Sequence, residues 1–184
     1  MEVLAKPKLS VVEARGFYDT FYALLMYVNK VKRIYPLYLK KEAYADPDRM
    51  TELARIMWDD TSLLDGYLGE HPRLSAEKKD LIRGLKRYKN GAYILAEHTP
   101  RGALLVSQDD TVYLVKGLKT TFQELLYLFP MPTKLTATLL PWKGCIVTDG
   151  LLLPEMEQVD SETKQKIREI VKEAKEQGKV VTTI

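Results

Sequence analysis

The spacing of apolar residues changes period once, near Gly91, and this switch constrains the fold more than any other feature. Before it, apolar side chains recur every three to four positions; after it, they come in short β-branched and aromatic runs. Such a chain reads as α+β, with a helical half preceding a β-rich half. Across residues 10–33, Val11, Val12, Phe17, Phe21, Leu24, Leu25, Val28 and Val31 fall at helical spacing, and Ser10 with Glu13 forms a capping box. One long helix is predicted. Tyr18, Tyr22, Met26 and Tyr27 lie on its other sides, so it is expected to be buried on more than one side or to sit at a subunit interface. Pro36 ends it.

Asp46 followed by Pro47 predicts a helix start, and Asp60 or Thr61 caps a further piece that Gly69 and Pro72 stop. Ser75 caps a helix over 76–89, with Leu81, Ile82, Leu85 and Tyr88 as its apolar stripe and Asn90 with Gly91 as its end. Residues 1–90 are thus expected to form a helical bundle. Residues 92–98, 103–108 and 111–116 read as a three-stranded meander with turns at 99–102 and at Asp109 and Asp110. A short helix from Thr120 or Thr121 runs through Phe122, Leu125, Leu126 and Phe129 to Pro130 and Pro132. A hairpin over 134–149 follows, with Pro141, Trp142, Lys143 and Gly144 at its turn.

In the tail, 155–184, Asp160 or Ser161 caps a helix with a narrow stripe of Ile167, Ile170, Val171 and Ala174, supported by Glu162 with Lys166 and Lys172 with Glu176. Gly178 closes it, and 180–184 is β-branched enough to join a sheet edge. The predicted fold is an N-terminal helical bundle (1–90), a β-rich subdomain (91–154) and a C-terminal helix with an edge strand (155–184). The β part is either a five-strand antiparallel sheet or a small partly open barrel with an inserted short helix, an architecture that often presents binding grooves.

The formal net charge of +3 conceals larger blocks. Residues 30–45 carry +4 through Lys30, Lys32, Arg33, Lys40 and Lys41 against Glu42; residues 46–70 carry −5 and residues 71–90 carry +5. The β region is neutral and the tail carries −1. On the helix after Ser75, a step of about 100° per residue groups Lys79, Arg83 and Lys86 on one side with Arg87 beside them. The stripe has two readings. It contacts phosphates, with the cations of 30–41 as a second patch and Tyr35, Tyr38, Tyr44 and Tyr88 for stacking, or it is neutralised by the acidic segment 46–70. Neutralisation is the preferred reading.

The phosphate-loop, dinucleotide, nucleophile-elbow and zincin motifs are all missing from the sequence. His71, His98 and Cys145 have no chelating spacing, so no metal ligand, cofactor or catalytic residue is assigned. His98 follows Glu97, but strand neighbours point to opposite faces and the two are not expected to meet. Cys145 shares a strand face with Val147 and reads as a small hydrophobe. Asp149 before Gly150 reads as a turn, at a strand end where enzymes also place carboxylates. Residues 1–9 show no signal-peptide core, and the most apolar run, 21–28, falls well short of the roughly 20 residues that span a bilayer. With a single cysteine, a reducing cytoplasmic location without membrane contact is expected.

The run Leu139-Leu140-Pro141-Trp142-Lys143-Gly144, continued through Asp149-Gly150-Leu151-Leu152, resembles a segment of uncharacterised bacterial proteins. In them a strand, a Pro-aromatic-Lys-Gly turn and a strand ending in Asp-Gly recur. The resemblance covers mainly 91–153; it implies a bacterial origin and transfers no activity. Trp142 beside Lys143 either exposes a flat surface for a ligand or partner, to which His98 and Asp149 would add polar groups, or folds back over the core, the preferred reading. The expected function is a non-catalytic interaction module that binds a protein partner or self-associates through the aromatic face of the first helix. One alternative is a nucleic-acid-binding accessory protein using Lys79, Arg83, Lys86 and Arg87. The other is a small-molecule enzyme, which requires His98, Asp149 and Cys145 to converge.

Overall fold

The computed structural model describes residues 6–184; the expectation about a signal peptide draws partly on residues 1–5, outside that range. The chain divides into two compact units, one formed by the described residues up to Ala14 with Arg87–Ile184 and the other by Arg15–Lys86.

Helix α1 (Val11–Lys32) opens with the predicted capping box, in which the Ser10 N–H donates to Glu13 Oε2 at 2.9 Å and the Glu13 N–H to Ser10 Oγ at 3.3 Å. From Arg15 onward it belongs to the helical unit, with α2 (Pro47–Asp59), α3 (Ser62–Glu70) and α4 (Ala76–Gly84). Asp46 and Ser75 cap α2 and α4 by accepting from the Arg49 and Lys78 N–H groups. Phe17, Phe21, Leu24, Leu25 and Val28 are buried, and the Phe21 ring stacks at 6.4 Å on Trp58 of α2. A 3-10 turn, Lys41–Ala45, is a small element that the periodicity does not reveal.

The helix expected over 76–89 stops at Gly84 and continues only as a 3-10 turn, Leu85–Arg87. Strand β1 (Lys89–Thr99) already contains Asn90 and Gly91, because pairing with Thr138 and Ala137 overrides their turn preference. It is followed by β2 (Gly102–Ser107), β3 (Val112–Val115), α5 (Phe122–Leu125), β4 (Thr133–Trp142), β5 (Cys145–Thr148), β6 (Leu153–Pro154) and α6 (Ser161–Glu176). Thr121 and Glu124 cap α5 reciprocally, and the helix ends sooner than Pro130 required.

The sheet has six strands in the order β1, β2, β3, β5, β4, β6, with β1 also pairing β4. The expectation of five antiparallel strands is corrected on two counts. β6 is a two-residue strand whose Pro154 sits at an edge, too short to leave a pattern. β5 runs parallel to β3, because the connection between them passes through α5 and the antiparallel β4. That parallel link is a single pair, Val115 with Ile146, too short to form a wall between β3 and β5, so the element is a mixed sheet and not the small partly open barrel. The expected last strand is reduced to one parallel bridge, Val181 with Tyr113.

Both faces of β2 and β3 are covered. Ala103, Leu105, Tyr113 and Val115 join Tyr93, Leu95, Leu135, Ala137, Leu139 and Ile146 in one core, closed by Phe122 and Leu126. Leu104, Val106, Val112 and Leu114 face the opposite way and pack on Ile167 and Val171 of α6. This is why β2 reads as a continuous apolar run instead of an alternation.

Candidate functional site

The register of β1 shifts once. Leu95 pairs with Leu105 and Glu97 with Leu104, so Ala96 is an extra residue, a β-bulge. Strict alternation from Ile94, on the α6 face, would turn Glu97 inward and His98 toward α6. The bulge exchanges them. Glu97 now faces α6 and meets Lys175 Nζ at 2.7 and 2.8 Å, while His98 pairs with Ala103 of the inner core.

Beside the bulge lies a groove of about 400 Å³ between α6, the end of β1 and the segment entering β4. Its floor is aliphatic: Ala96, Met131, Pro132, Ile167 and Val171. Its rim carries Lys164, Arg168, Lys172 and Lys175, and Glu97 is its one carboxylate. At about 100° per residue the four cations span about 80° of the α6 surface, next to the stripe of Ile167 and Val171. The acids Glu162, Glu169, Glu173 and Glu176 gather on the far side of the cations. Lys175 is engaged by Glu97, and Lys172 has a loose contact with Glu176 at 3.9 Å. Lys164 and Arg168 have no carboxylate partner among the described residues. The expected pair of Glu162 with Lys166 gives way to Lys166 with Asp110 at 3.3 Å. Met131, which lines the groove, is itself 40% exposed.

The stripe expected to touch nucleic acid is placed differently. Lys79 Nζ donates to the Pro72 carbonyl at 2.7 Å, Arg83 meets Asp80 at 3.0 Å, and Lys86 meets Asp65 at 2.6 Å. Arg87 Nε donates to the Ile184 carbonyl at 3.3 Å. Lys86 and Arg87 also lie beyond the end of α4, off the helical wheel that grouped them. In the helical unit, Lys30 pairs with Glu70, Lys32 with Asp60 and Lys41 with Asp19.

His98, Asp149 and Cys145 are not brought together. From His98 the register steps through Ala103 and Val115 to Ile146, three strands away, and Asp149 lies three residues further along. The Asp149 carboxylate accepts the Leu151 N–H at 3.0 Å, as in an Asx turn. Cys145 Sγ donates to the Trp142 carbonyl at 3.0 Å, and burial pushes its thiol pKa up, away from the thiolate a nucleophile needs. Burial lowers the His98 pKa, and among the described residues His98 is the only ionisable side chain in the cleft of about 320 Å³ that it lines with Phe122. Trp142 is buried, at 2% exposure, and Lys143 is exposed at the hairpin tip.

A cleft of about 410 Å³ within the helical unit is lined by Tyr27, Tyr67, Leu37 and the mutually paired Lys30 and Glu70. Tyr27 of α1 is engaged there, edge-on to Tyr67 at 5.6 Å. The α6 groove is thus the one of these three clefts in which cations without carboxylate partners border an apolar floor. A helical wheel over residues 161–176 carries the signal for it; the summed tail charge of −1 hides it.

Among the described residues, no helix is long and apolar enough to cross a membrane, and no three His, Cys, Asp or Glu side chains gather to hold a metal ion. Compared with family models, curated proteins and solved structures, the chain matches none.

Proposed function

We propose that this protein is a non-catalytic interaction module that holds a segment of a protein partner in the groove along α6. The observation that carries this reading is the pairing of an aliphatic floor with Lys164 and Arg168, two cations that no carboxylate of the described chain neutralises. Recessed apolar pockets beside unneutralised charge suit the anchoring of a peptide, with the apolar part supplying affinity and the charge supplying register and approach rate. The dispersal of His98, Asp149 and Cys145 supports binding over catalysis. The home partners of Lys79, Arg83, Lys86 and Arg87 weigh against phosphate contact at that stripe.

The test is selection from a displayed random-peptide library on the intact protein, run in parallel on a Lys164→Glu/Arg168→Glu variant. Both positions lie on the rim, and a glutamate in the first turn of α6 favours its dipole, so the variant is expected to fold. Peptides enriched on the wild type and lost on the variant are the expected result. No enrichment, or equal enrichment on both, overturns the reading.

A further inference from the structure

We infer that the occupant of the α6 groove is an acidic amphipathic segment, one whose apolar side chains enter the floor while two or three carboxylates meet the rim. The inference rests on the reading of the groove as a peptide-binding surface and adds the chemistry of the peptide. Three features select it. The floor residues Ala96, Met131, Pro132, Ile167 and Val171 include no aromatic ring, so nucleic-acid bases find no stacking platform there. Lys164, Arg168 and Lys172 follow one another at one helical turn, about 6 Å apart along the axis. That spacing matches carboxylates four residues apart on a helix or two apart on a strand.

The third feature is the acidic stripe. Glu169, Glu173 and Glu176 flank the cations on the side away from the floor. A polyanion laid across α6 would meet these acids and be repelled by their like charge. A peptide seated over Ile167 and Val171 approaches from the opposite side and meets only the cations and Glu97, whose charge Lys175 already balances. A groove of about 400 Å³ admits a few side chains, which fits anchors on a short segment.

The experiment uses the intact chain and fluorescent synthetic peptides of about 16 residues, roughly four helical turns. One alternates Leu with Glu in an amphipathic pattern, a second replaces every Glu by Gln, a third replaces every Glu by Lys, and a single-stranded oligonucleotide completes the set. Anisotropy titrations are run at low and high salt. The Leu/Glu peptide is expected to bind about tenfold or more tightly than the Leu/Gln peptide, to weaken as salt rises, and to lose about tenfold on Arg168→Glu or Lys172→Glu. Glu173→Lys, on the acidic stripe, is expected to leave its affinity undiminished, and circular dichroism confirms that each variant is folded.

Equal binding of the Leu/Gln and Leu/Glu peptides, unaffected by Arg168→Glu, overturns the acidic occupant while the groove remains a peptide site. Preference for the Leu/Lys peptide overturns it in the same way. Binding of the oligonucleotide in place of every peptide overturns both the occupant and the peptide-binding reading, as does failure of all the peptides together with an empty library selection.

Discussion

Lys86 and Arg168 carry the same charge, and a carboxylate is what separates them. Lys86 has Asp65 at 2.6 Å, whereas Arg168 has none among the described residues. The sequence places both on one-sided basic stripes and cannot tell them apart, because Asp65 reaches Lys86 only through the packing of α3 and α4. His98 shows the same dependence on tertiary context. Burial lowers its pKa, so the folded state disfavours the imidazolium that the unfolded chain accepts below about pH 6.5. Its contribution to stability is therefore complete above that pH and is lost as pH falls through the lowered folded value. Urea unfolding from pH 7.5 to 5 is expected to show a fall in stability that His98→Gln flattens. A buried core residue gives a pH-independent contrast. Leu105, at 0% exposure in the inner core, is expected to cost about 3 kcal/mol when replaced by Ala, read as a lower urea midpoint at unchanged slope.

At the scale of elements, caps and turns were legible because their chemistry is local. Ser10 with Glu13, Asp46 with Pro47, Ser75, Thr121 and Asp160 all cap the helices they announce. The hairpin between β4 and β5 turns on Lys143 and Gly144, at φ 46° and 77°, the paired positive values of a type I′ turn. A Cβ at Gly144 would touch nothing within 4 Å, so Gly144→Ala is expected to cost only the backbone strain, about 1 kcal/mol, measured by thermal or urea unfolding. The bulge at Ala96 and the single parallel pair of Val115 with Ile146 were not legible. Both arise from pairings between distant segments, and the bulge bears on the site by turning Glu97, a groove-lining residue, toward Lys175. The wheel of α6, by contrast, was open to reading in residues 161–176 and was hidden only by summing its charges.

At the scale of the whole molecule, the small net charge is the residue of blocks that find one another in the helical unit. Lys30 with Glu70, Lys32 with Asp60 and Lys86 with Asp65 each join a basic block to the acidic segment 46–70. Exposed pairs of this kind are screened by solvent and add little stability, so holding the fold together is not their main effect. Their larger consequence is the field outside the molecule, since each carboxylate cancels a cation that would otherwise attract polyanions. Replacing Asp60 and Asp65 by Asn and Glu70 by Gln raises the formal net charge from +3 to +6 and leaves the three lysines without partners. The triple variant is expected to remain folded, with a melting temperature close to that of the wild type. It is also expected to elute from a heparin column at distinctly higher salt, with a steeper salt dependence of binding to a DNA duplex. Addition of Lys164→Glu and Arg168→Glu to the triple variant separates the two surfaces: retention that persists belongs to the uncovered lysines, and retention that disappears belongs to α6. Identical elution of the wild type and the triple variant would mean that those carboxylates do not mask the basic blocks.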